Sequence, residues 1–310
     1  MPSSEAVSPA AISSFFEICT TDAEGKPITD PIRIGARGGG FALKLGISAT
    51  ITTKKAPKIT IAIRINGRPA PEAHTTKWAL EHLLERVGST QDVRVDLKVK
   101  VPIGAGYGTS AGGTAASCLA LADAAQLPIS INEIGELTHV AEVLNRTGLG
   151  TAYPVLIGGF VLVTEPGPPG IGLVDRLIFP KNHSIVCVYL GSIPTREALS
   201  QSDLAARVNP SARHAMQSIR SKPDLRTFLS EVRKFAENAG FQTPEIAQLV
   251  RIMESAGVVG VGQNMIGKAV HAVAENSKVP RVMRAVHSAF PSARVFASQL
   301  DHRGVRLSGS

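Results

Sequence analysis

A glycine-rich segment at residues 102–113, with the sequence P-I-G-A-G-Y-G-T-S-A-G-G, constrains the fold more than any other part of the chain. It follows a stretch at 93–101 in which apolar and polar residues alternate, a period of two that predicts a half-buried strand. It precedes an alanine-rich segment at 114–125 with high helix propensity. A glycine-rich turn between a strand and a helix exposes successive backbone N–H groups at the positive end of the helix, an arrangement that binds phosphate.

The loop fits neither of the two most familiar phosphate-binding classes. A Walker A motif needs a Gly-Lys-Ser/Thr sequence at the helix start, and the chain has no lysine between Lys100 and Lys181. A dinucleotide fingerprint needs an acidic residue at the end of a second strand about 20 residues further on, and none is found there. The sequence therefore predicts a lysine-free phosphate loop that relies on backbone N–H groups and on the hydroxyls of Thr109 and Ser110. The alternative is that these glycines serve only tight turns and close helix packing.

Strand and helix patterns alternate through both halves of the chain, which predicts a mixed α+β protein with two domains. We expect strands at 59–65, 158–164, 185–190 and 293–300, and helices at 78–87, 132–146, 196–208, 224–238, 243–256 and 280–290. We place the domain boundary after Pro180, because a new strand pattern begins shortly beyond it. Residues 1–180 then form a nucleotide-binding domain with the phosphate loop, and residues 181–310 complete the substrate cleft.

The net charge of +8 and the isoelectric point of about 9.6 do not by themselves indicate nucleic-acid binding. Lysine and arginine are scattered, without the dense basic run of a nucleic-acid tail. Three tyrosines and one tryptophan are too few for a base-stacking platform. We therefore expect no nucleic-acid partner and a basic surface that attracts anionic small molecules.

The cysteines and the apolar segments favour a cytoplasmic protein. Cys19, Cys118 and Cys187 are far apart and odd in number, so neither a disulfide framework nor a zinc site is indicated. No segment reaches the roughly 18 apolar residues of a membrane span, and the N-terminus has no apolar signal core. We expect no membrane partner.

The glycine-rich segment resembles the second motif of the GHMP kinases, a superfamily that includes galactokinase, homoserine kinase and mevalonate kinase. That motif reads Pro, three residues, then Gly-Leu-Gly-Ser-Ser-Ala-Ala. The residues that match it are Pro102, Gly106, Gly108, Ser110 and Ala111, with Tyr107, Thr109 and Gly112 as substitutions. Residues 8–17 resemble the substrate-side motif near the N-terminus of these kinases. Residues 256–267 resemble their C-terminal glycine-rich motif, which braces the phosphate loop.

This resemblance implies a fold, cofactors and a substrate. The fold would be a ribosomal S5 domain 2-like N-terminal domain followed by a ferredoxin-like C-terminal domain. The activity would be phosphoryl transfer from ATP with Mg²⁺ to a small molecule, by a homodimer. The segments S-P-A-A-I-S-S-F-F, G-A-R-G-G-G-F-A-L, H-V-A-E-V-L-N-R-T-G-L-G and G-Q-N-M-I-G-K-A-V most resemble the archaeal pantoate kinases. Those enzymes phosphorylate the terminal hydroxyl of pantoate in coenzyme A synthesis.

The resemblance also implies roles for individual residues. Ser110 and Glu142 would ligate Mg²⁺ and, with His139, form the catalytic group. The residues expected to bind ATP are Pro102, Gly104, Gly106, Tyr107, Gly108, Thr109, Ser110, Ala111, Gly112 and Gly113. From the pattern alone, Glu142 has an alternative role in a solvated ion pair with Arg146, four residues on. His139 has the alternative of an ordinary hydrogen-bonded residue at the edge of the buried core.

Substrate binding is expected from hydroxyl, imidazole and guanidinium side chains. The candidates are Ser13, Ser14, Arg37, His139, Arg146 and Thr195, with Arg196 as a further cation. An arginine suits the carboxylate of pantoate, although each of these arginines has the alternative of an ordinary surface position.

One position departs from the family pattern. Related kinases have an aspartate after the Gly-Leu-Gly of this region, and that aspartate takes the proton of the acceptor hydroxyl. Here Thr151 follows Gly150, and threonine is no base near neutral pH. Either His139 takes the proton, or it passes to the phosphate itself, as is thought for homoserine kinase. Another small hydroxy acid or alcohol, such as mevalonate or homoserine, stays open as the substrate. The other alternative is a nucleotide-binding protein that has lost catalysis.

Overall fold

The computed structural model describes residues 1–191, 203–265 and 267–309. Its strands are β1 Ser3–Cys19, β2 Gly35–Lys55, β3 Thr60–Ile65, β4 Arg68–Pro69, β5 Gln91–Val99, β6 Phe160–Glu165, β7 Leu173–Leu177, β8 His183–Gly191, β9 Gly260–Gln263, β10 Lys268–Glu275, β11 Arg294–Ser298 and β12 Arg306–Leu307. Its helices are α1 His74–Arg86, α2 Thr109–Ala124, α3 Ile131–Asn145, α4 Ala152–Ile157, α5 Leu204–Ser221, α6 Leu225–Asn238, α7 Pro244–Ser255 and α8 Val279–Ala289. No helix in these described ranges is long and apolar enough to cross a bilayer.

The first sheet is built around the long strand β2. The strand order is β12-β1-β2-β5-β3-β4, and β6 pairs with the first part of β2 and with β7. Only β3 and β5 are parallel in this sheet, and its other pairs are antiparallel. Glycine is required at position 40 because an added Cβ would collide with the carbonyl oxygen of Ile12 on β1. The close approach of β1 and β2 that follows forms the floor of a cleft.

Helices α1, α2, α3 and α4 cover this sheet and bury its apolar face. Helix α2 packs on β1 and β2, and its buried positions are mostly alanine and glycine. Small side chains allow this helix to approach the sheet closely, since only a thin layer of atoms separates the two backbones. The first turn of α2 is therefore held firmly at the end of the glycine-rich loop.

The second sheet is a separate four-stranded layer with the order β11-β8-β10-β9 and only antiparallel pairs. Its chain order, with helices after β8 and after β10, is that of a ferredoxin-like domain, as predicted. Val186 and Val188 on β8 face the core beneath α7 and α8. Ile185 and Cys187 face the opposite way and join the core of the first sheet. Strand β8 is thus buried on both faces, which explains its nearly unbroken apolar sequence.

Most predicted elements are present, and one correction concerns the extent of a helix. The helix predicted at 196–208 falls partly outside the described residues, and its predicted end is wrong, because α5 continues to Ser221. Pro210 lies inside α5 and removes one backbone hydrogen bond, but the buried face of the helix, which includes Ala215 and Ile219, compensates for that loss. The boundary predicted at residue 180 stays a prediction. The second sheet begins at His183, and β12 returns to the first sheet.

Candidate active site

A cleft of about 590 Å³ opens beside the phosphate loop. Its lining includes loop residues 106–110, residues 37–40 at the start of β2 and residues 147–151 ahead of α4. Ser13 on β1 and Met265, shortly after β9, also line it. The cleft therefore collects residues from distant parts of the chain, as an active site does.

The phosphate loop presents the positive end of α2 to this cleft. Gly108 precedes the helix in the left-handed conformation, with φ of 58°, and the first helical turn contains no acidic residue. Gly106 is also left-handed, and a Cβ there would lie 2.7 Å from the carbonyl oxygen of Met265. Free N–H groups and an uncompensated helix dipole favour an anion at this point.

The predicted ATP residues divide into two groups. Those that line the cleft are Gly104, Gly106, Tyr107, Gly108, Thr109 and Ser110. Those buried behind it are Pro102, Ala111, Gly112 and Gly113. A Cβ at Gly112 would lie 2.9 Å from the Ile47 side chain, so this glycine allows α2 to pack on β2. The ring of Tyr107 points into the core and lies 5.7 Å from the ring of Phe296.

Glu142 lies buried on α3 and contacts Ser110 and Thr147, which line the cleft. Helix α3 begins with a capping box in which Ser130 and Glu133 each satisfy a backbone N–H of the other residue. One carboxylate oxygen of Glu142, Oε2, has no hydrogen-bond partner. Burial raises the pKa of this carboxyl to about 8, although the hydroxyls of Ser110 and Thr147 act in the opposite direction. A buried carboxylate oxygen without a partner is costly unless a cation binds it.

These oxygen atoms fit a magnesium ion that binds together with phosphate. Mg²⁺ prefers hard oxygen ligands and usually takes only one or two carboxylates from the protein, the rest coming from phosphate and water. The hydroxyl of Ser110 and the carboxylate of Glu142 supply such ligands beside the loop. Within the described part of the chain no group of three or more His, Cys, Asp or Glu residues is arranged to hold a metal.

Sequence reasoning missed the role of two threonines and a glycine around this carboxylate. The Ser110 hydroxyl donates to Oγ1 of Thr147 at 3.2 Å, and Thr147 is 3.0 Å from the hydroxyl of Thr75. A Cβ at Gly148 would lie only 2.5 Å from Oε2 of Glu142. Thr147 and Gly148 belong to the same T-G-L-G sequence that precedes Thr151, so the motif itself was the available signal.

Arg37 reaches the cleft but is already engaged by other groups. Its Nε donates to the carbonyl oxygen of Thr164 at 3.1 Å, and its Nη2 lies 3.0 Å from Glu165. Its Nη1 lies 3.5 Å from Glu17, which is buried and which also binds Arg213 at 2.7 Å. Arg213 on α5 was not among the predicted cations. Arg213 offsets the charge of Glu17, so the formal charges of these two arginines and two glutamates cancel.

Ser14 and His139 do not line the cleft. The Ser14 hydroxyl is fully buried and lies 3.0 Å from Nε2 of His271. His139 is buried on α3, where its Nε2 donates to the carbonyl oxygen of Ile34 at 2.9 Å and burial lowers its pKa. The hydrogen-bonded structural role considered for His139 agrees with this geometry. Neither side chain is placed to contact a substrate in the cleft.

Arg146, a further predicted cation, does not line the cleft either. Arg146 ends α3 in the left-handed conformation and is exposed, so it does not share a face with Glu142. No ion pair joins these two residues among those the structure describes, and the solvated-pair alternative is wrong. Thr195 and Arg196 lie outside the described residues.

Thr151 occupies the position where the family has aspartate, and it faces the phosphate loop. It precedes α4 and lines the cleft without a side-chain capping bond. Its methyl group occupies the space beside Gly108, where an added Cβ would collide with it. The side chain is therefore within the site, but it presents a hydroxyl and a methyl group instead of a carboxylate.

Comparisons with known proteins agree with this geometry. Residues 74–159, which include the loop, α2 and Glu142, match the family described as GHMP kinases N terminal domain. The chain is 29% identical over 256 residues to the pantoate kinase of Thermococcus kodakarensis, covering 81% of this chain and 83% of that protein. It is 23% identical over 268 residues to the pantoate kinase of Methanocaldococcus jannaschii, covering 86% and 91%.

Solved structures match over nearly the whole length. A phosphotransferase related to the CoA biosynthesis pathway superposes with a TM-score of 0.87 at 24% identity, covering 99% of this chain and 98% of the other. Homoserine kinase from Cytophaga hutchinsonii superposes with a TM-score of 0.75 at 18% identity and the same coverage. The mixed α+β fold with two sheets is thus the GHMP kinase fold. The motifs in the cleft agree with these matches: residues 74–159 resemble the GHMP kinase N-terminal domain, and the chain as a whole has the fold of these kinases.

Proposed function

We propose that this protein is an ATP- and Mg²⁺-dependent pantoate kinase that makes 4-phosphopantoate. The observation that carries the kinase chemistry is the unpartnered Oε2 atom of Glu142, a carboxyl that lies beside Ser110 at the positive end of α2. The names of the relatives from Thermococcus kodakarensis and Methanocaldococcus jannaschii support pantoate as the acceptor. The predicted cytoplasmic location and homodimer stay predictions.

The chain's own groups position the phosphates and the metal. Backbone N–H groups of loop residues 106–110 bind the phosphate oxygens, and Ser110 and Glu142 hold Mg²⁺. When bound, the ion neutralises charge on the phosphates, which phosphoryl transfer requires more than covalent help. Thr147 accepts a hydrogen bond from Ser110 and thereby fixes the direction of that hydroxyl. Preorganised oxygen ligands lower the cost of assembling the reactive geometry.

The other end of the cleft matches the chemical groups of pantoate. Pantoate carries a carboxylate, a pair of methyl groups and two hydroxyls. Apolar side chains of Phe15, Phe16, Val161 and Val163 line this part of the cleft and suit the methyl groups. Arg37 suits the carboxylate, and Ser13 suits a hydroxyl. Homoserine carries an ammonium group, which a cation at this position would disfavour.

The proton of the acceptor hydroxyl has no aspartate to receive it. Glu72 is the only Asp or Glu that lines the described part of the cleft, and it is exposed near the opening. We infer that the proton passes to the transferred phosphate. This is compatible with catalysis, because a loose transition state places little demand on a general base.

A coupled ADP-release assay tests the proposal with pantoate, mevalonate, homoserine and galactose as acceptors. The expected result is turnover with pantoate that requires Mg²⁺ and exceeds turnover with the other three. Turnover only with another acceptor would reassign the substrate and retain the kinase chemistry.

The second candidate is a nucleotide-binding protein without catalysis, which Thr151 specifically favours. It predicts that Mg–ATP binds while none of the four acceptors is phosphorylated. Calorimetric titration with ATP in the absence of any acceptor separates binding from transfer. ATP binding with no transfer would support this candidate over the kinase.

A further inference from the structure

A chain of hydrogen bonds runs through the buried space between the two sheets. The Ser14 hydroxyl on β1 lies 3.0 Å from Nε2 of His271 on β10, and Nδ1 of His271 lies 2.8 Å from Oδ1 of Asn264. The amide nitrogen of Asn264 donates to the carbonyl oxygen of Ala105 in the phosphate loop at 3.1 Å. All four residues are fully buried. These hydrogen bonds therefore connect β1, beside the substrate end of the cleft, to the phosphate loop at the other end.

The contacts of Asn264 determine which atom donates and which accepts in each of these hydrogen bonds. Asn264 uses its nitrogen as donor to Ala105, so its oxygen must accept and Nδ1 of His271 must carry the hydrogen. Nε2 is then unprotonated and accepts from the Ser14 hydroxyl. Burial lowers the pKa of His271 to about 3, so the ring stays neutral. Each of the three hydrogen bonds thus has a defined donor and a defined acceptor.

Backbone contacts hold the same segment between strand and loop. The N–H of Met265 donates to the carbonyl oxygen of Ser13 at 2.9 Å. A Cβ at Gly267 would lie 2.8 Å from the backbone of Ala105, so this segment touches the loop directly. Ser13 and Met265 also line the cleft. A displacement of Asn264, Met265 and Gly267 would consequently move both ends of the site.

We propose that Ser14, His271 and Asn264 act together as positioning residues that fix the phosphate loop relative to β1. The proposal rests on the proposed function, because it concerns the ATP and acceptor sites of that kinase. It gives Ser14 a role in nucleotide binding although Ser14 does not reach the cleft. It also assigns a role to His271, which lies on β10 beyond the glycine-rich motif at 256–267.

The physical basis is that a buried network of polar side chains is stable only when each polar group has a hydrogen-bond partner. Removing one hydroxyl leaves an acceptor without its partner, and the remaining members shift to compensate. Because the last member holds the carbonyl oxygen of Ala105, the shift reaches the loop whose N–H groups bind phosphate. Residues that act as one unit give non-additive effects in a double-mutant cycle.

The test measures nucleotide affinity, so it needs no acceptor. Ser14→Ala, Asn264→Asp and the double variant are titrated by calorimetry with Mg²⁺ and a non-hydrolysable ATP analogue. Asn264→Asp keeps the shape and the acceptor for His271 but cannot donate to Ala105. We expect each single variant to bind the analogue about fivefold or more weakly, and the double variant to bind no more weakly than the weaker single variant.

Ser117→Ala is the matched control. Its hydroxyl is fully buried in the same domain and bonds only to the carbonyl oxygen of Gly113 in its own helix. We expect it to lower the unfolding temperature about as much as Ser14→Ala while leaving analogue affinity unchanged. If Ser14→Ala does not fold, His271→Gln replaces it. Glutamine can still accept from Ser14 at the position of Nε2, but it has no donor at the position of Nδ1, which faces Asn264.

Three outcomes are distinguishable. Unchanged affinity in the Ser14 or His271 variant would overturn the inference, and so would a double variant whose loss equals the product of the single losses. A wild-type protein that fails to bind the analogue would instead refute the proposed function. Equal loss in Ser117→Ala would show that any buried hydroxyl matters, which would also overturn the inference.

Discussion

Replacing Gly148 by alanine should disable the metal site without unfolding the protein. An added Cβ would lie 2.5 Å from Oε2, 2.7 Å from Cδ and 2.8 Å from Oε1 of Glu142. Ordinary contacts between these atoms begin at about 3.4 Å, so the carboxylate must move by about 1 Å. A misplacement of about 1 Å in an active site costs about 100-fold in rate, which corresponds to about 2.7 kcal/mol of transition-state stabilisation.

The assay is ADP release with pantoate at several Mg²⁺ concentrations, together with thermal unfolding. We expect kcat/KM to fall about 100-fold, while overpacking lowers stability by about 1–3 kcal/mol. The matched control is Gly191→Ala, whose added Cβ would meet, among the described residues, only the Lys268 side chain at 3.6 Å. A Gly148→Ala variant with kcat/KM within threefold of wild type would refute the argument that the position of the Glu142 carboxylate matters.

Three further results are expected. Ser110→Ala should raise the Mg²⁺ concentration for half-maximal activity about tenfold or more, as a Mg²⁺ titration of ADP release measures. Arg37→Ala should raise the KM for pantoate about tenfold and leave the KM for ATP nearly unchanged, which steady-state kinetics with each substrate varied will check. His271 has a pKa of about 3 in the folded protein and an ordinary value of 6.5, so the unfolded chain binds a proton that the folded chain does not. The contribution of neutral His271 to the free energy of unfolding is fully present above pH 6.5 and is lost as the pH falls towards 3. The loss is about 2 kcal/mol at pH 5. Urea unfolding of the wild type and of His271→Asn at pH 7 and pH 5 will measure it.

The phosphate loop and its helix could be predicted because their local sequence determines them. Alternation from Val93 onward predicts a strand, and β5 shows the expected alternation of buried and exposed side chains. Thr243 caps α7 and Pro244 occupies its first turn, as the capping pattern indicates. Asn66 and Gly67 both adopt positive φ, as an Asn-Gly pair in a turn directly after a strand usually does. These features depend on neighbours in sequence and need no knowledge of the tertiary fold.

Strands β1 and β2 were harder to predict because several of their residues are small, which allows the two strands to pack closely but gives no strand pattern in the sequence. Gly38, Gly39 and Gly40 in β2 would usually be assigned to a turn, yet they allow β2 to lie against β1. Such positions depend on a partner strand about 25 residues away in the sequence. Periodicity within one segment cannot supply that information.

The positions of the two proposed metal ligands agree with the sequence prediction. The positions of the predicted substrate residues agree with it less well. Ser110 and Glu142 do meet at the loop, as the resemblance implied. Ser13 and Ser14 are adjacent on a strand, so their side chains point to opposite faces and only Ser13 reaches the cleft. His139 and Arg146 were placed on one face of α3 by helical spacing. Arg146 leaves the helical conformation, which removes the basis of that argument.

The most direct test of the central claim is phosphorus NMR of a reaction containing ATP, Mg²⁺ and pantoate. We expect the wild-type protein to produce a phosphomonoester resonance that grows as ATP is consumed, and Glu142→Gln to produce almost none while it unfolds at a similar temperature. A wild-type protein that forms no phosphomonoester would contradict the pantoate kinase assignment. A Glu142→Gln variant that forms it at the wild-type rate would contradict the assignment of the metal site.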